Sequence, residues 1–221
     1  MSAAPPAGSG TAESGTDPRA RRKPVTILLS LAVFALAVDL LTKHLALAEL
    51  SDREPVRLLG GAVYLSLTRN SGAAWSLGSD YTFVFPVIAF GVLGWIAWMA
   101  RTLRSVPWAI SLGLVVGGVT GNLLDRIFRA PGWFVGHVVD MISVFDPYGR
   151  VFPIFNVADS ALVCGVVLAV VLEFTGRQRD GSRLVSDKKL VADEKETGAD
   201  AGPATDGGAE ENVDGGRRER A

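Results

Sequence analysis

Two aspartates, Asp140 in Gly-His-Val-Val-Asp-Met and Asp159 in Phe-Asn-Val-Ala-Asp-Ser, stand at or just inside what read as the ends of membrane-spanning segments. On insertion scales an aspartate at a helix centre costs roughly 2.5 to 3.5 kcal/mol, so each needs a compensating role. Paired carboxylates, with no cysteine or histidine cluster beside them, suit acid/base activation of water, one accepting a proton while the other donates. Further polar residues fall at the same depth. Asp39 and Lys43 close the first apolar run, Asn122, Asp125 and Arg126 close the third, and Asn156 and Asp159 open the fourth. The expectation is one polar cluster near the outer membrane surface.

Spacing suggests how these groups meet. Asp39 and Lys43 are at i,i+4 with the acid first, the favourable order on a helix. They either neutralise each other while the lysine snorkels, or organise the site. Asn122 and Asp125 lie one turn apart, and Asn156 and Asp159 repeat that i,i+3 spacing. Such an Asn fixes the neighbouring carboxylate or holds a peptide. Gly113, Gly117 and Gly121 form small-xxx-small pairs, with Gly118 adjacent, so another backbone approaches the third run closely. Asn70-Ser71-Gly72-Ala73-Ala74-Trp75 reads either as a turn followed by an interfacial tryptophan or as part of the site. His137 is a candidate base or ligand three residues before Asp140, though an incidental loop histidine is the plainer reading. No His or Cys set at ligand spacing supports a metal, and no cofactor is expected. Cys164, the single cysteine, excludes an intrachain disulfide and reads as a small packing residue.

The elements that must position these groups are apolar spans. Of 221 residues 48% are hydrophobic and 20% charged, with mean hydropathy +0.29. These averages mix an apolar middle with Gly-, Ala- and charge-rich ends, expected as disordered tails over 1–23 and 176–221 around a membrane domain over 24–175. Spans are expected near 25–47, 81–99, 106–124 and 151–173, each long enough to cross ~30 Å of hydrocarbon. The first is full length and carries Asp39 and Lys43, so it reads as a retained span rather than a cleaved signal peptide. Arg19, Arg21, Arg22, Lys23, Arg101, Arg104, Arg177 and Arg179 flank the spans on one side, which the positive-inside rule assigns to the cytoplasm with both termini. Opposing arginines, among them Arg126 and Arg129, adjoin polar motifs and have other reasons to be there. Alternation over Ala62 to Thr68 predicts a strand in the outer segment, with Trp75 and Tyr81 as interfacial anchors. The fold class is therefore membrane all-α: a four-helix bundle with a small extracytoplasmic β-sheet cradle. A net charge of −1 leaves no nucleic-acid footprint.

Five segments, Asp39-Leu-Leu-Thr-Lys43, Asn70-Ser-Gly-Ala-Ala-Trp75, Gly117-Gly-Val-Thr-Gly-Asn-Leu-Leu-Asp-Arg126, Val138-Val-Asp140 and Phe155-Asn-Val-Ala-Asp159, stand in the order of motifs in the bacterial lipoprotein signal peptidases. From about Val25 to Phe174 the chain resembles that family. The resemblance implies an aspartic endopeptidase of the bacterial inner membrane that removes the signal peptide just before the diacylglyceryl-modified cysteine of prolipoproteins. It implies Asp140 and Asp159 as the catalytic dyad. It also implies that Asn70, Gly72, Asn122, Arg126 and Asn156 hold substrate and shape the site, supported by Asp39, Lys43 and Asp125. The cyclic peptide globomycin is the expected inhibitor, and membrane lipid the expected surroundings. The stretch between Arg126 and Asp140 is longer than the shorter form of the family, and the tails have no counterpart in its compact core. A proton-coupled transporter is the rival reading; it favours midplane acids and internal duplication, and neither is found.

Overall fold

The computed structural model describes residues 18–72 and 82–183. The remainder of both expected tails, and Trp75 and Tyr81, lie outside the described residues. The elements run α1 (Pro18–Glu49), β1 (Val56–Leu58), β2 (Val63–Asn70), α2 (Val84–Met99), α3 (Val106–Phe128), β3 (Val138–Val144) and α4 (Val157–Phe174). Among the described residues four helical stretches are long and apolar enough to cross a membrane: Lys23–Glu49, Val84–Thr102, Val106–Phe128 and Val157–Phe174. Helix α1 begins at Pro18, inside the stretch expected as the N-terminal tail.

Helix α3 is the hub, packed against α1, α2 and α4 and far more buried than the others. Its glycines are the reason. Lipid tails are as apolar as leucine, so helices in a bilayer associate through close packing rather than through the hydrophobic effect. A Cβ on Gly113 would sit 2.8 Å from the Leu28 carbonyl oxygen, and one on Gly117 would sit 2.7 Å from the Ala35 Cβ, so this stripe is the seat of α1. Gly118 faces the other way, where a Cβ would fall on the Ala158 carbonyl oxygen of α4. Lower down, Gly165 of α4 returns the contact, its carbonyl accepting from Ser111 Oγ at 2.8 Å. Leu112, Val115, Ile96, Met99, Leu103 and Trp108 fill the core at the far end of the bundle.

The three strands form an antiparallel sheet in the order β1-β2-β3. Pairing of β2 with β3 runs Val63↔Val144 to Leu65↔Ile142 and resumes at Thr68↔Asp140 and Asn70↔Val138. Between the two blocks β2 advances three residues while β3 advances two, a bulge that turns the end of β2. Asn70 thereby stands opposite Val138, diagonal to Asp140 on the same face of the strand pair.

Three sequence expectations are corrected by this arrangement. Asp140 does not lie at the end of a span; it belongs to β3, whose residues Val138 to Met141 are all buried. A strand covered on both faces reads as a continuous apolar run, which is why Val-Val-Asp-Met-Ile-Ser-Val lacked the alternation that betrayed β2. The fourth span starts at Val157, not Val151, because Phe155 bridges to Ile142 of β3 and Asn156 caps the helix. Cys164 is exposed rather than packed, on a face of α4 where Val163, Val166 and Val167 are also exposed.

Candidate active site

The end of α1 supplies the foundation. Asp39 and Lys43 are fully buried. The Lys43 ammonium does not snorkel; its Nζ lies 2.8 Å from Asp39 Oδ2, 2.9 Å from Asp125 Oδ2 and 3.0 Å from Asn122 Oδ1. One buried cation thus ties α1 to two points of α3, and its three donors match three acceptors. Asp39 Oδ1 accepts from the Ala158 N–H at 2.9 Å, joining α1 to the first turn of α4. Lys43 is the only close partner of Asp39 Oδ2 among the described residues, and Gly121 leaves room for that oxygen, since a Cβ there would sit 2.5 Å from it. Asp125 binds the Arg129 guanidinium through Oδ1 and the Val139 N–H at 3.2 Å through Oδ2, locking β3 against α3.

Asp159 occupies the third position of α4 in a reciprocal cap. The Asn156 side chain accepts from the Asp159 N–H at 2.9 Å, and Asp159 Oδ2 accepts from the Asn156 N–H at 3.1 Å. Asn-Val-Ala-Asp is a capping-box pattern, a signal in the sequence that the spacing argument passed over. The other oxygen, Asp159 Oδ1, accepts from Asn122 Nδ2 at 2.7 Å.

Asp140 arrives from the strand. Its Oδ1 accepts from Asn156 Nδ2 at 2.7 Å and its Oδ2 from Asn70 Nδ2 at 3.2 Å. Asn156 Nδ2 also approaches Asn122 Oδ1 at 3.1 Å and the Val139 carbonyl at 3.3 Å. A single buried asparagine therefore holds one carboxylate through its amide group and the other through its main chain. Burial, and then the charge of Asp159, push the Asp140 carboxyl up to about 7, against the opposing pull of the Asn70 and Asn156 hydrogen bonds and the Lys43 charge.

Arg126 serves the rim. Nη1 donates to the Ser71 carbonyl at 2.7 Å, Nη2 donates to the Gly72 carbonyl, and the guanidinium lies 4.7 Å from the Phe85 ring centroid. Ser71 O also accepts from Thr82 Oγ1 at 2.9 Å, and Asn70 Oδ1 accepts from the Gly72 N–H at 2.9 Å. The arginine thus fastens the turn that follows β2 over the site. Gly136 must be glycine: its N–H donates to the Arg126 carbonyl at 2.9 Å, and a Cβ would collide with the Asp125 carbonyl. His137 is half-buried, with its N–H on the Ala130 carbonyl at 2.9 Å.

All ten residues that the family resemblance implies for the site lie in this network. Arg129, which adjoins the polar motif at i+4 from Asp125, joins the network, and the Val139 and Ala158 amides, Phe85 and Gly136 join it without a signal in the sequence. Among the described residues no group of three or more His, Cys, Asp or Glu is placed to hold a metal. The two carboxylates face a cavity of about 420 Å³, lined by Asn70, Asn122 and Arg126 on the polar side. Apolar walls come from Phe85, Pro86, Ile88 and Ala89 of α2, Leu162 of α4 and Phe152 to Phe155 of the β3–α4 link.

The family model described as signal peptidase (SPase) II matches residues 31–175, the stretch that contains all of these groups. The chain belongs to the signal peptidase II family. The lipoprotein signal peptidase of Streptomyces coelicolor is 47% identical over 164 residues, spanning 74% of this chain and 78% of that relative. That of Rhodococcus jostii is 46% identical and spans 78% and 92%, and that of Mycobacterium avium is 46% identical and spans 83% and 96%. A bacterial membrane enzyme solved by the in meso method at 2.3 Å resolution superposes with a TM-score of 0.59 at 26% identity, covering 72% of this chain and 94% of its own. Signal peptidase II is a protease of the aspartic type.

Proposed function

We propose that Asp140 and Asp159 are the catalytic dyad of a membrane endopeptidase that cleaves the signal peptide of prolipoproteins just before the lipid-modified cysteine. The observation that carries this reading is Asn156, which fixes both carboxylates at the edge of one cavity. Roles follow from environment. Asp159 receives donors on both oxygens at the first turn of α4, which holds it in place to accept a proton from water. Asp140 is buried beside that charge and holds the shared proton near neutral pH.

In the reaction Asp159 takes a proton from water as the water oxygen attacks the scissile carbonyl, while the Asp140 proton passes to the carbonyl oxygen. A neutral gem-diol results. Its collapse returns one hydroxyl proton to Asp140, and Asp159 gives its proton to the leaving amide nitrogen. The dyad is then restored, with the C–N bond broken and one water consumed. Asn70, Asn122 and Asn156 keep the carboxylates in position throughout, and Arg126 with Gly72 shapes the turn above the cleft.

The cavity walls support lateral entry between α2 and α4. They contribute mostly apolar side chains around the dyad, with α3 as the floor. A substrate whose acyl chains remain in the bilayer brings its peptide bond to this depth without leaving the membrane. Together with the arginines of the α2–α3 link, this supports a plasma-membrane protein with both termini cytoplasmic and the dyad near the outer surface. Globomycin is expected to compete for the same cleft. The decisive measurement is cleavage of a lipid-modified prolipoprotein by purified protein in detergent. Asp140→Asn and Asp159→Asn should each fold and lose roughly a hundred- to ten-thousand-fold in rate. Full activity of either variant refutes the dyad.

A further inference from the structure

The bundle carries a second cleft at the end opposite the dyad. Beyond α4 the chain turns back in a small hairpin in which Arg177 and Arg183 are bridged as direct antiparallel partners. The Gln178 N–H donates to the Ser182 carbonyl at 2.9 Å, and Asp180 Oδ1 accepts from Ser182 N–H and Oγ at 2.8 and 2.7 Å. This hairpin is docked rather than loose. The Arg179 carbonyl accepts from the Arg104 and Ser105 N–H groups at 2.8 and 3.0 Å, and Trp108 Nε1 donates to the Arg177 carbonyl at 2.7 Å. Arg179 itself is used as a pin, with Nη1 2.9 Å from Met99 Sδ and its guanidinium over the Trp108 ring.

A cleft of about 350 Å³ lies between this hairpin and the start of α3, lined by Ser105, Pro107, Arg177, Gln178, Ser182 and Arg183. Like charges directly opposite across a bridge repel. Yet neither Arg177 nor Arg183 has an ion-pair partner among the described residues, and both are exposed. The carboxylate of Asp180 gives Oδ1 to Ser182 and its charge acts on Arg104. Arg101 and Arg104 add two further exposed cations at the same end. Two guanidinium forks with hydroxyl and amide groups between them match a phosphate oxyanion, which arginine binds in bidentate fashion. The hairpin follows α4 within a few residues of its last turn, so it stands at the depth of lipid headgroups.

We propose that this cleft binds the phosphate of an anionic phospholipid headgroup, at a site independent of the peptidase dyad. The test uses the full chain, delipidated in neutral detergent and titrated with short-chain phosphatidylglycerol or phosphatidylcholine. Saturable binding of phosphatidylglycerol is expected, weakening as salt is raised, with phosphatidylcholine bound at least tenfold more weakly. Arg177→Gln/Arg183→Gln should weaken phosphatidylglycerol binding by roughly tenfold or more while prolipoprotein cleavage in detergent stays unchanged. Should the double variant fail to fold, Arg183→Gln alone at the exposed edge of the hairpin should still lose several-fold. Undiminished binding by a folded variant overturns the proposal. Displacement of the lipid by an equal concentration of inorganic phosphate overturns the lipid assignment and identifies a soluble phosphate as the ligand.

Discussion

At the residue scale, the proton balance of Asp140 is the property with the clearest consequences. Its carboxyl is ordinary in the unfolded chain, near 3.8, and raised to about 7 in the fold. The native state therefore binds the proton more tightly, and the stability this confers is full below about pH 4 and lost as pH rises through about 7. Asp140→Asn cannot ionise, so the variant should gain on the parent across that window, by an amount on the order of 4 kcal/mol at one pKa unit per 1.36 kcal/mol. Thermal unfolding in detergent at pH 5 and pH 8 measures the gain. Parallel shifts at both pH values would contradict the raised carboxyl. Cleavage by the parent should fall above about pH 7, where the dyad loses its shared proton, and a rate that keeps rising to pH 9 would contradict the assignment of the acid to Asp140.

At the element scale, function depends on how closely α3 lies against α4. Gly118 is the point of contact, because a Cβ there would occupy the place of the Ala158 carbonyl oxygen. Gly118→Val should push the first turn of α4 away from Asn122, costing about 1 to 3 kcal/mol of stability as overpacking and most of the cleavage rate. Gly94→Ala on α2 is the control, since a Cβ at that position meets nothing within 4 Å. The pair of variants is compared by unfolding temperature and by prolipoprotein cleavage. Equal behaviour would show that α3–α4 contact does not set the dyad. Elements also differ in how openly they announce themselves. The helices of the bundle follow from uninterrupted apolar length, and β2 from its alternation between glycine and asparagine boundaries. The strand β3 was hidden, because burial on both sides erases the period of two that marks a half-exposed strand. The apolar residues Val151 to Phe155 look like the start of a span by composition alone, whereas the Asn156 cap places the helix start at Val157.

At the scale of the whole molecule, charge is sorted between two ends. The polar network closes one end of the bundle and the arginine hairpin the other, and the described core between them is apolar. This sorting supports a fixed orientation in the membrane, which single-cysteine labelling can check. In a Cys164→Ala background, which should retain activity because the thiol lies on the bundle surface, an impermeant maleimide applied to intact spheroplasts should label Arg53→Cys and spare Arg101→Cys until lysis. The opposite pattern would invert the proposed topology.

Much of this molecule is written locally. Span length, the depth of Asp39, Lys43, Asn122, Asp125, Arg126, Asn156 and Asp159 and the glycine stripe follow from composition and spacing, because hydrocarbon thickness and helical period act on each segment by itself. Pairing is another matter. That Lys43 bridges Asp39 to Asp125, that Arg126 reaches the Ser71 and Gly72 carbonyls, and that Asn156 serves both carboxylates are contacts between segments far apart in the chain. The bulge in β2, the burial of β3 and the close approach of three helices create them together, and no single stretch of sequence contains the distances they depend on.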